Sequence, residues 1–174
     1  LISIAQISPN PAQLPTHEII FAENFDHAIL QHAIDEFDPN PGVLDWSTPN
    51  DSGLGWTRGT DRAIGGTREW LGWSITNLQF WSGDDDQGRL GVFSGNPEAI
   101  FAVADSDEAE DGRRTPDDGY NVYLRSPIIP LEGFDSKSIK LTFNSNFRRE
   151  EDEISLVKIY FDNHPPLSIN IPDQ

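Results

Sequence analysis

Carboxylates at the end of one predicted strand are well suited to bind a metal ion. Glu23 shares a strand face with Phe21 and Phe25, so period-two alternation points its carboxylate inward. A lone buried carboxylate is costly, whereas one bound to a cation is tolerated. Glu23 is therefore predicted to bind calcium, whose preferred ligands are carboxylate and carbonyl oxygens. A strand end that has already reached solvent is the alternative.

A second group of acids follows a strand of small residues, where five acids fall within the seven residues from Asp105 to Asp111. Asp105 continues the strand face of Phe101 and Val103, whereas the later acids belong to the loop. Read as an EF-hand loop from Asp107, the segment lacks a ligand at its third position and the final glutamate. A calcium site of another type is expected, with a solvated acidic loop as the alternative. The predicted metal ligands are Glu23, Asp26, Asp105, Asp107, Glu108 and Asp111.

Aromatic side chains crowd the segment from Trp70 to Trp81, and two interpretations of them stay open. Exposed tryptophans can stack on sugar rings, which makes Trp73 and Trp81 candidate ligand-binding residues. Large aromatic side chains are more often buried, so a role in the core is the preferred interpretation.

Catalytic motifs give little support for an enzyme. The sequence contains no G-x-S-x-G, H-E-x-x-H or phosphate-binding loop. His27 and His32 are five residues apart, so they would lie on different faces of a helix and make a poor ligand pair. Carboxylate pairs are plentiful, and a glycosidase dyad therefore stays open as an alternative.

The 174-residue chain carries a formal net charge of −17. This charge repels nucleic acid and anionic lipid, and no Lys/Arg stripe offsets it, so neither partner is expected. The acids suit calcium, but a merely solubilising surface explains the total charge equally well. Without cysteine there is neither a disulfide framework nor a thiolate metal site, and no apolar run approaches the length of a membrane span.

Short strands are the main elements available to position these residues. Residues 1–16, which are rich in proline, are predicted to form an extended leader, in which Ile2, Ile4 and Ile7 indicate a short strand or a packed linker. Residues 17–174 are predicted to form a single domain. Apolar spacing, with Asp26 as N-cap, predicts a helix over His27–Phe37. The whole pattern predicts an all-β fold, a jelly-roll β-sandwich with one short inserted helix. The later predicted strands are Arg68–Asn77, Gly88–Phe93, Ala99–Ala104, Tyr120–Ile129, Ser138–Arg148, Ile154–Phe161 and Leu167–Ile171.

Five short motifs follow one another between Phe21 and Phe143. They are Phe21-x-Glu23-Asn24-Phe25-Asp26, Gly55-Trp56-Thr57, Ala102–Asp107, Asn121-x-x-Leu124-x-Ser126-Pro127-x-Ile129 and Leu141-Thr142-Phe143. In this order they resemble the cleaved-adhesin and MAM-like jelly-roll modules of bacterial secreted proteins. The resemblance implies structural calcium held by Glu23 and by acids of nearby strands. Members of that group carry further closing strands, so this fold either closes differently or is completed from elsewhere.

These features predict a non-catalytic, calcium-stabilised extracellular module for adhesion, glycan binding or assembly, secreted or on the cell surface. A subunit of an extracellular filament or surface layer is one form of this hypothesis. The alternative is a secreted calcium-dependent hydrolase of polysaccharides or esters. An open sandwich edge is a template for strand addition, so other copies of the chain or a domain of its parent protein are the expected partners. The leader, kept off its own domain by its prolines, is the expected donor.

Overall fold

A computed structural model describes residues 2–7, 17–32, 44–60, 71–83, 99–106, 120–135, 138–149 and 152–172. The strands are β1 (Ile2–Ile7), β2 (His17–Glu23), β3 (Trp46–Ser47), β4 (Thr57–Thr60), β5 (Ser74–Asn77), β6 (Ile100–Val103), β7 (Val122–Arg125), β8 (Ile139–Thr142), β9 (Ser155–Ile159) and β10 (Leu167–Ile171), and the helix is α1 (Leu78–Gly83). Antiparallel strands dominate these ranges, which confirms the predicted all-β class. The jelly-roll arrangement and the single domain over 17–174 remain predictions.

The chain divides into two compact units, Leu1–Thr142 and Phe143–Gln174. In the first unit, β1 is the middle strand of the antiparallel sheet β2-β1-β8, where Ile4 pairs with both Phe21 and Leu141. The expectation that the leader stays off its own domain is therefore wrong for Ile2–Ile7. All three prolines of the leader come after β1, so each residue of the strand keeps the N–H group that pairing requires.

A second sheet, β3-β5-β6, contributes residues to two hydrophobic clusters among the described residues of the first unit. All four residues of β5 are buried, and Thr76 pairs with Trp46 on one side and Phe101 on the other. Because side chains alternate across a strand, the two faces of the sheet carry different clusters. Cluster A consists of Trp46, Phe80 and Val103, with Trp81, Phe101 and Tyr120 packed against them. Cluster B consists of Phe25, Trp56 and Ile75, with Phe21, Ala28, Leu30, Leu54, Ile100, Ala102 and Leu124 packed against them.

Cluster B connects three sheets of the first unit. Phe21 comes from β2, Ile75 from β5 and Leu124 from β7, which pairs with β4 in a separate antiparallel sheet. Cluster A covers the opposite face of β3-β5-β6 with side chains of α1 and with Tyr120. A sheet covered on both faces explains why β5 is a continuous buried run and does not alternate between buried and exposed residues.

The segment after β2 differs from its prediction. Residues 27–32 are not helical, so the predicted helix over His27–Phe37 is wrong there, and residues 33–37 lie outside the described part of the chain. The chain instead turns at Phe25, whose φ is +64°, in the left-handed region. Asp26 is consequently a turn residue and not the N-cap of a helix at this position.

Long-range hydrogen bonds account for this difference. The Ile29 N–H donates to the Ser52 carbonyl at 2.8 Å, and the Gln31 N–H donates to the Trp46 carbonyl at 2.7 Å, next to a bridge between Gln31 and Trp46. These bonds satisfy backbone groups that a helix would satisfy internally. Helical spacing of the apolar residues could not reveal them, because their partners lie more than a dozen residues away in the chain.

The described helix, α1, begins at a polar residue that caps it. The Asn77 Oδ1 atom accepts a hydrogen bond from the Phe80 N–H at 2.7 Å, which is the usual role of an N-cap side chain. Among the described residues, no helix is both long enough and apolar enough to cross a membrane.

Several strand predictions agree with the structure. Leu167–Ile171 is observed with the same bounds, and the prediction at Ala99–Ala104 matches β6 to within one residue at each end. The predicted strand Ser138–Arg148 shortens to β8, whose pairing with β1 stops at the Ser3–Thr142 pair. The predicted strand Gly88–Phe93 lies outside the described residues.

The second unit contains an antiparallel hairpin. β9 pairs with β10 along its whole length: Ser155 lies opposite Ile171 at one end, and Ile159 lies opposite Leu167 at the other. The turn that connects the two strands includes Asn163, whose φ is +63°. Asn tolerates this left-handed conformation better than most residues, which suits it to the turn.

Candidate functional site

Glu23, the first predicted calcium ligand, ends β2 beside cluster B. Its side chain is half-buried, and its Oε1 atom accepts a hydrogen bond from the Phe25 N–H at 2.7 Å. Its Oε2 atom accepts a longer bond from the Trp56 Nε1–H at 3.4 Å. The rings of Phe21 and Phe25 lie 6.4 and 5.4 Å from the Trp56 ring, centroid to centroid. The carboxylate thus holds the turn at Phe25 and fixes the central tryptophan of the cluster.

Asp26 lies in the turn that follows and is exposed. Its Oδ2 atom accepts a hydrogen bond from the Asn24 Nδ2 at 2.5 Å, and its N–H donates to the Asn24 Oδ1 at 3.2 Å. Asn24 and Asp26 therefore hydrogen-bond to each other within the turn, a common arrangement of Asn and Asp in tight turns. Asp26 remains near Glu23 in sequence and carries a solvent-facing carboxylate.

Asp105, the second predicted anchor, follows the end of β6 beside cluster A. It is half-buried, and its Oδ2 atom accepts a hydrogen bond from the Trp81 Nε1–H at 2.9 Å. The Trp81 ring in turn packs edge-on against Phe101, with centroids 5.6 Å apart and an interplanar angle of 81°. Asp107, Glu108 and Asp111 lie outside the described residues.

Among the described residues, Tyr120 is a titratable group that this environment clearly affects. Burial raises the pKa of its hydroxyl well above the ordinary tyrosine value, and the negative charge of nearby Asp105 raises that pKa further. The carboxylate of Asp105 and the largely buried phenol of Tyr120 thus lie close together beside the end of β6. Burial disfavours ionisation of the phenol, and the carboxylate of Asp105 disfavours it further.

The structure places the two predicted anchors in different surroundings. The hydrogen-bond partner of Glu23 belongs to cluster B, whereas that of Asp105 belongs to cluster A on the opposite face of β3-β5-β6. Within the described ranges, no three histidine or acidic side chains gather as a ready-made metal site. Glu23 with Asp26 and Asp105 with the acids that follow it are therefore two separate candidate positions.

The two candidate sugar platforms have different roles. The Trp81 ring packs against cluster A, and its indole N–H donates a hydrogen bond to Asp105. Both contacts favour the core interpretation for this residue. Trp73 is half-buried, and its carbonyl accepts a hydrogen bond from the Arg58 Nη1 at 2.8 Å.

An exposed aromatic side chain that sequence reasoning missed lies on the β4-β7 sheet. Gly59 of β4 pairs with Tyr123 of β7, and a Cβ atom on Gly59 would overlap the Tyr123 hydroxyl and ring. The tyrosine ring therefore lies against the glycine backbone, and the guanidinium carbon of Arg125, on the same strand face, lies over the ring at 5.4 Å from its centroid. The alternation from Val122 to Arg125 was the available signal, but it does not show what lies opposite.

Comparisons with known proteins do not extend this picture: no protein-family model, no curated protein and no solved structure matches the chain. The resemblance to cleaved-adhesin and MAM-like modules consequently rests on the five sequence motifs and remains a proposal.

Proposed function

We propose that the chain is a non-catalytic, calcium-stabilised extracellular module of the cleaved-adhesin and MAM-like type, used for adhesion, glycan binding or assembly. The observation that carries this proposal is the position of Asp105. It is half-buried between Trp81 and Tyr120, at the point where β6 runs into the acidic segment ending at Asp111.

The physical argument is electrostatic. Five carboxylates within the seven residues 105–111 repel one another, and the first is partly withdrawn from water. A divalent cation relieves that repulsion, and calcium accepts six to eight oxygens in flexible geometry, whereas magnesium requires a tight octahedron. The antiparallel all-β fold supports the proposal, because strand ends joined by acidic loops offer such oxygens without a dedicated helix-loop-helix.

A chelation experiment tests the calcium requirement. A ligand at a hundred times its dissociation constant adds about 2.7 kcal/mol of stability. For a chain of this size that corresponds to a rise in Tm of roughly 5–10 °C. The chelated protein should therefore melt lower, recover fully with excess calcium and recover less with magnesium. Identical melting curves in chelator and in calcium would contradict the proposal.

A pair of variants locates the ion. Asp105→Asn should reduce the calcium-dependent rise in Tm, whereas the control Asp162→Asn, in the exposed turn of the β9-β10 hairpin, should leave it unchanged. Incubation with chromogenic esters and soluble polysaccharides in calcium tests the alternative function. Turnover that disappears in chelator would support the hydrolase and overturn the non-catalytic role.

A further inference from the structure

The β9-β10 hairpin of the second unit is a sheet of two strands, and neither strand pairs with another strand in the described part of the chain. A two-stranded sheet by itself is only marginally stable in water, and three or more strands are the usual requirement. Each outer edge of such a hairpin also presents N–H and C=O groups that can pair with a further strand. The hairpin is therefore suited to strand addition.

One face of the hairpin is apolar, and its side chains become more exposed towards β10. Val157 and Ile159 of β9 are half-buried. Ile169 and Leu167, which lie opposite them on β10, are 46% and 51% exposed. A further strand at the outer edge of β10 would cover these two side chains from the side.

The two edges of the hairpin differ in charge. β9 contains Lys158, and a charged residue within an edge strand is a common protection against pairing. β10 contains no charged residue, so no like charges would meet there although the chain carries a net charge of −17. Pro166 and Pro172, which lack an N–H group, flank β10 and limit pairing to its five residues. β10 is therefore the open edge.

The sequence of β10 is complementary to itself. In an antiparallel pair of two β10 strands with a two-fold axis at Ile169, this residue lies opposite its own copy. Leu167 then lies opposite Ile171 of the second copy, and Ser168 lies opposite Asn170. Apolar residues meet apolar residues and polar residues meet polar ones. A slip of one residue would destroy this match by placing Leu167 opposite Asn170.

We propose that two copies of the chain associate through β10 and join their hairpins into one four-stranded antiparallel sheet, in the order β9-β10-β10-β9. The two-fold axis is perpendicular to this sheet, so the apolar faces of the two hairpins lie on the same side and become continuous. Leu167 and Ile169 gain their missing neighbours from the second copy. This inference rests on the assembly role within the proposed function and names its partner and its surface.

Disulfide trapping tests the register, because the chain has no cysteine of its own. Ile169→Cys places the new residue opposite its own copy, where Cα atoms are ~4.5–5.5 Å apart and a disulfide can form. The matched control is Ser168→Cys, whose copy lies two residues further along, with Cα atoms about 8 Å apart and out of reach. Under mild oxidation, Ile169→Cys should give at least about tenfold more covalent dimer than Ser168→Cys.

Sedimentation equilibrium measures the association itself. The wild-type chain should change from monomer to dimer as its concentration rises to about 0.5 mM, at which a micromolar Kd leaves little monomer. Ile169→Lys should weaken dimerisation at least about tenfold, because it places two ammonium groups opposite each other. Leu156→Lys adds the same charge to the other face of the hairpin and should dimerise normally.

Circular dichroism and Tm check that each variant is folded, and the milder cysteine pair decides the question if Ile169→Lys is unfolded. A chain that stays monomeric at every concentration would overturn the inference. Equal weakening in Ile169→Lys and Leu156→Lys, or equal cross-linking of the two cysteine variants, would overturn it as well.

Repeating the sedimentation in calcium and in chelator separates this inference from the calcium proposal. Dimerisation without any calcium effect on Tm would refute the calcium requirement alone. A calcium effect on Tm in a chain that remains monomeric would refute the β10 dimer alone.

Discussion

Replacing Glu23 by glutamine tests the central contact of cluster B. Two donors converge on this carboxylate, the Phe25 N–H at 2.7 Å and the Trp56 Nε1–H at 3.4 Å. A glutamine has one acceptor oxygen and one NH₂ group, so it can serve only one donor and turns its amide protons towards the other. We expect the shorter bond to Phe25 to persist and the indole N–H of buried Trp56 to lose its acceptor.

The magnitude follows from these two contacts. An orphaned buried donor costs about 1–3 kcal/mol, and the 3.4 Å separation places the Trp56 bond at the weak end of that range. Loss of the charge on the acceptor of the Phe25 bond adds about 0.5–1 kcal/mol. Glu23→Gln should therefore lower the free energy of unfolding by about 1.5–2 kcal/mol, or the Tm by roughly 3–8 °C.

Chemical denaturation provides the assay, with Glu18→Gln as the matched control. Glu18 lies on the same strand, β2, and is exposed, so its substitution should change stability by no more than ~0.5 kcal/mol. The midpoint in urea should fall for Glu23→Gln with an unchanged slope. Equal midpoints for the two variants would refute the structural role assigned to Glu23.

The same two variants distinguish a hydrogen-bonding role from a metal-binding one. If Glu23 only anchors Phe25 and Trp56, calcium should stabilise Glu23→Gln as much as it stabilises the wild-type chain. If Glu23 also binds calcium, the stabilisation by calcium should shrink in this variant and stay unchanged in Glu18→Gln.

Two further predictions concern the clusters. Ile75→Ala should lower the free energy of unfolding, measured in urea, by about 2–5 kcal/mol, because Ile75 is fully buried in cluster B. The control Ile128→Ala, at a side chain that is 96% exposed, should lower it by no more than ~0.5 kcal/mol. Similar losses in the two variants would contradict the assigned core. Burial and the charge of Asp105 raise the pKa of Tyr120, so its contribution to stability is complete below the unfolded-state pKa of ~10 and is lost as the pH rises above it. Free energies of unfolding measured at several pH values above ~9 should therefore fall less steeply for Tyr120→Phe than for the wild type, and equal slopes would contradict this assignment.

The sequence alone predicted the features that depend on the alternation of apolar and polar residues along a strand. The all-β class follows from many short apolar runs between turns, and β6 and β10 were located to within a residue. Alternation also put Phe101, Val103 and Asp105 on one face, which agrees with the packing of cluster A and the bond from Trp81 to Asp105. These features need only the period-two geometry of an extended strand.

Tertiary structure decided everything that depends on partners distant in the chain. Apolar spacing after Asp26 indicates a helix, yet residues 27–32 bond to Ser52 and Trp46 instead, because pairing across the fold satisfies the backbone as well as a helix would. Ile2–Ile7 pair with β2 and β8, although the prolines of the leader were expected to keep it off its own domain. The position of the Tyr123 ring depends on Gly59, which lies more than sixty residues earlier, and no local pattern specifies which residue of another strand will lie opposite.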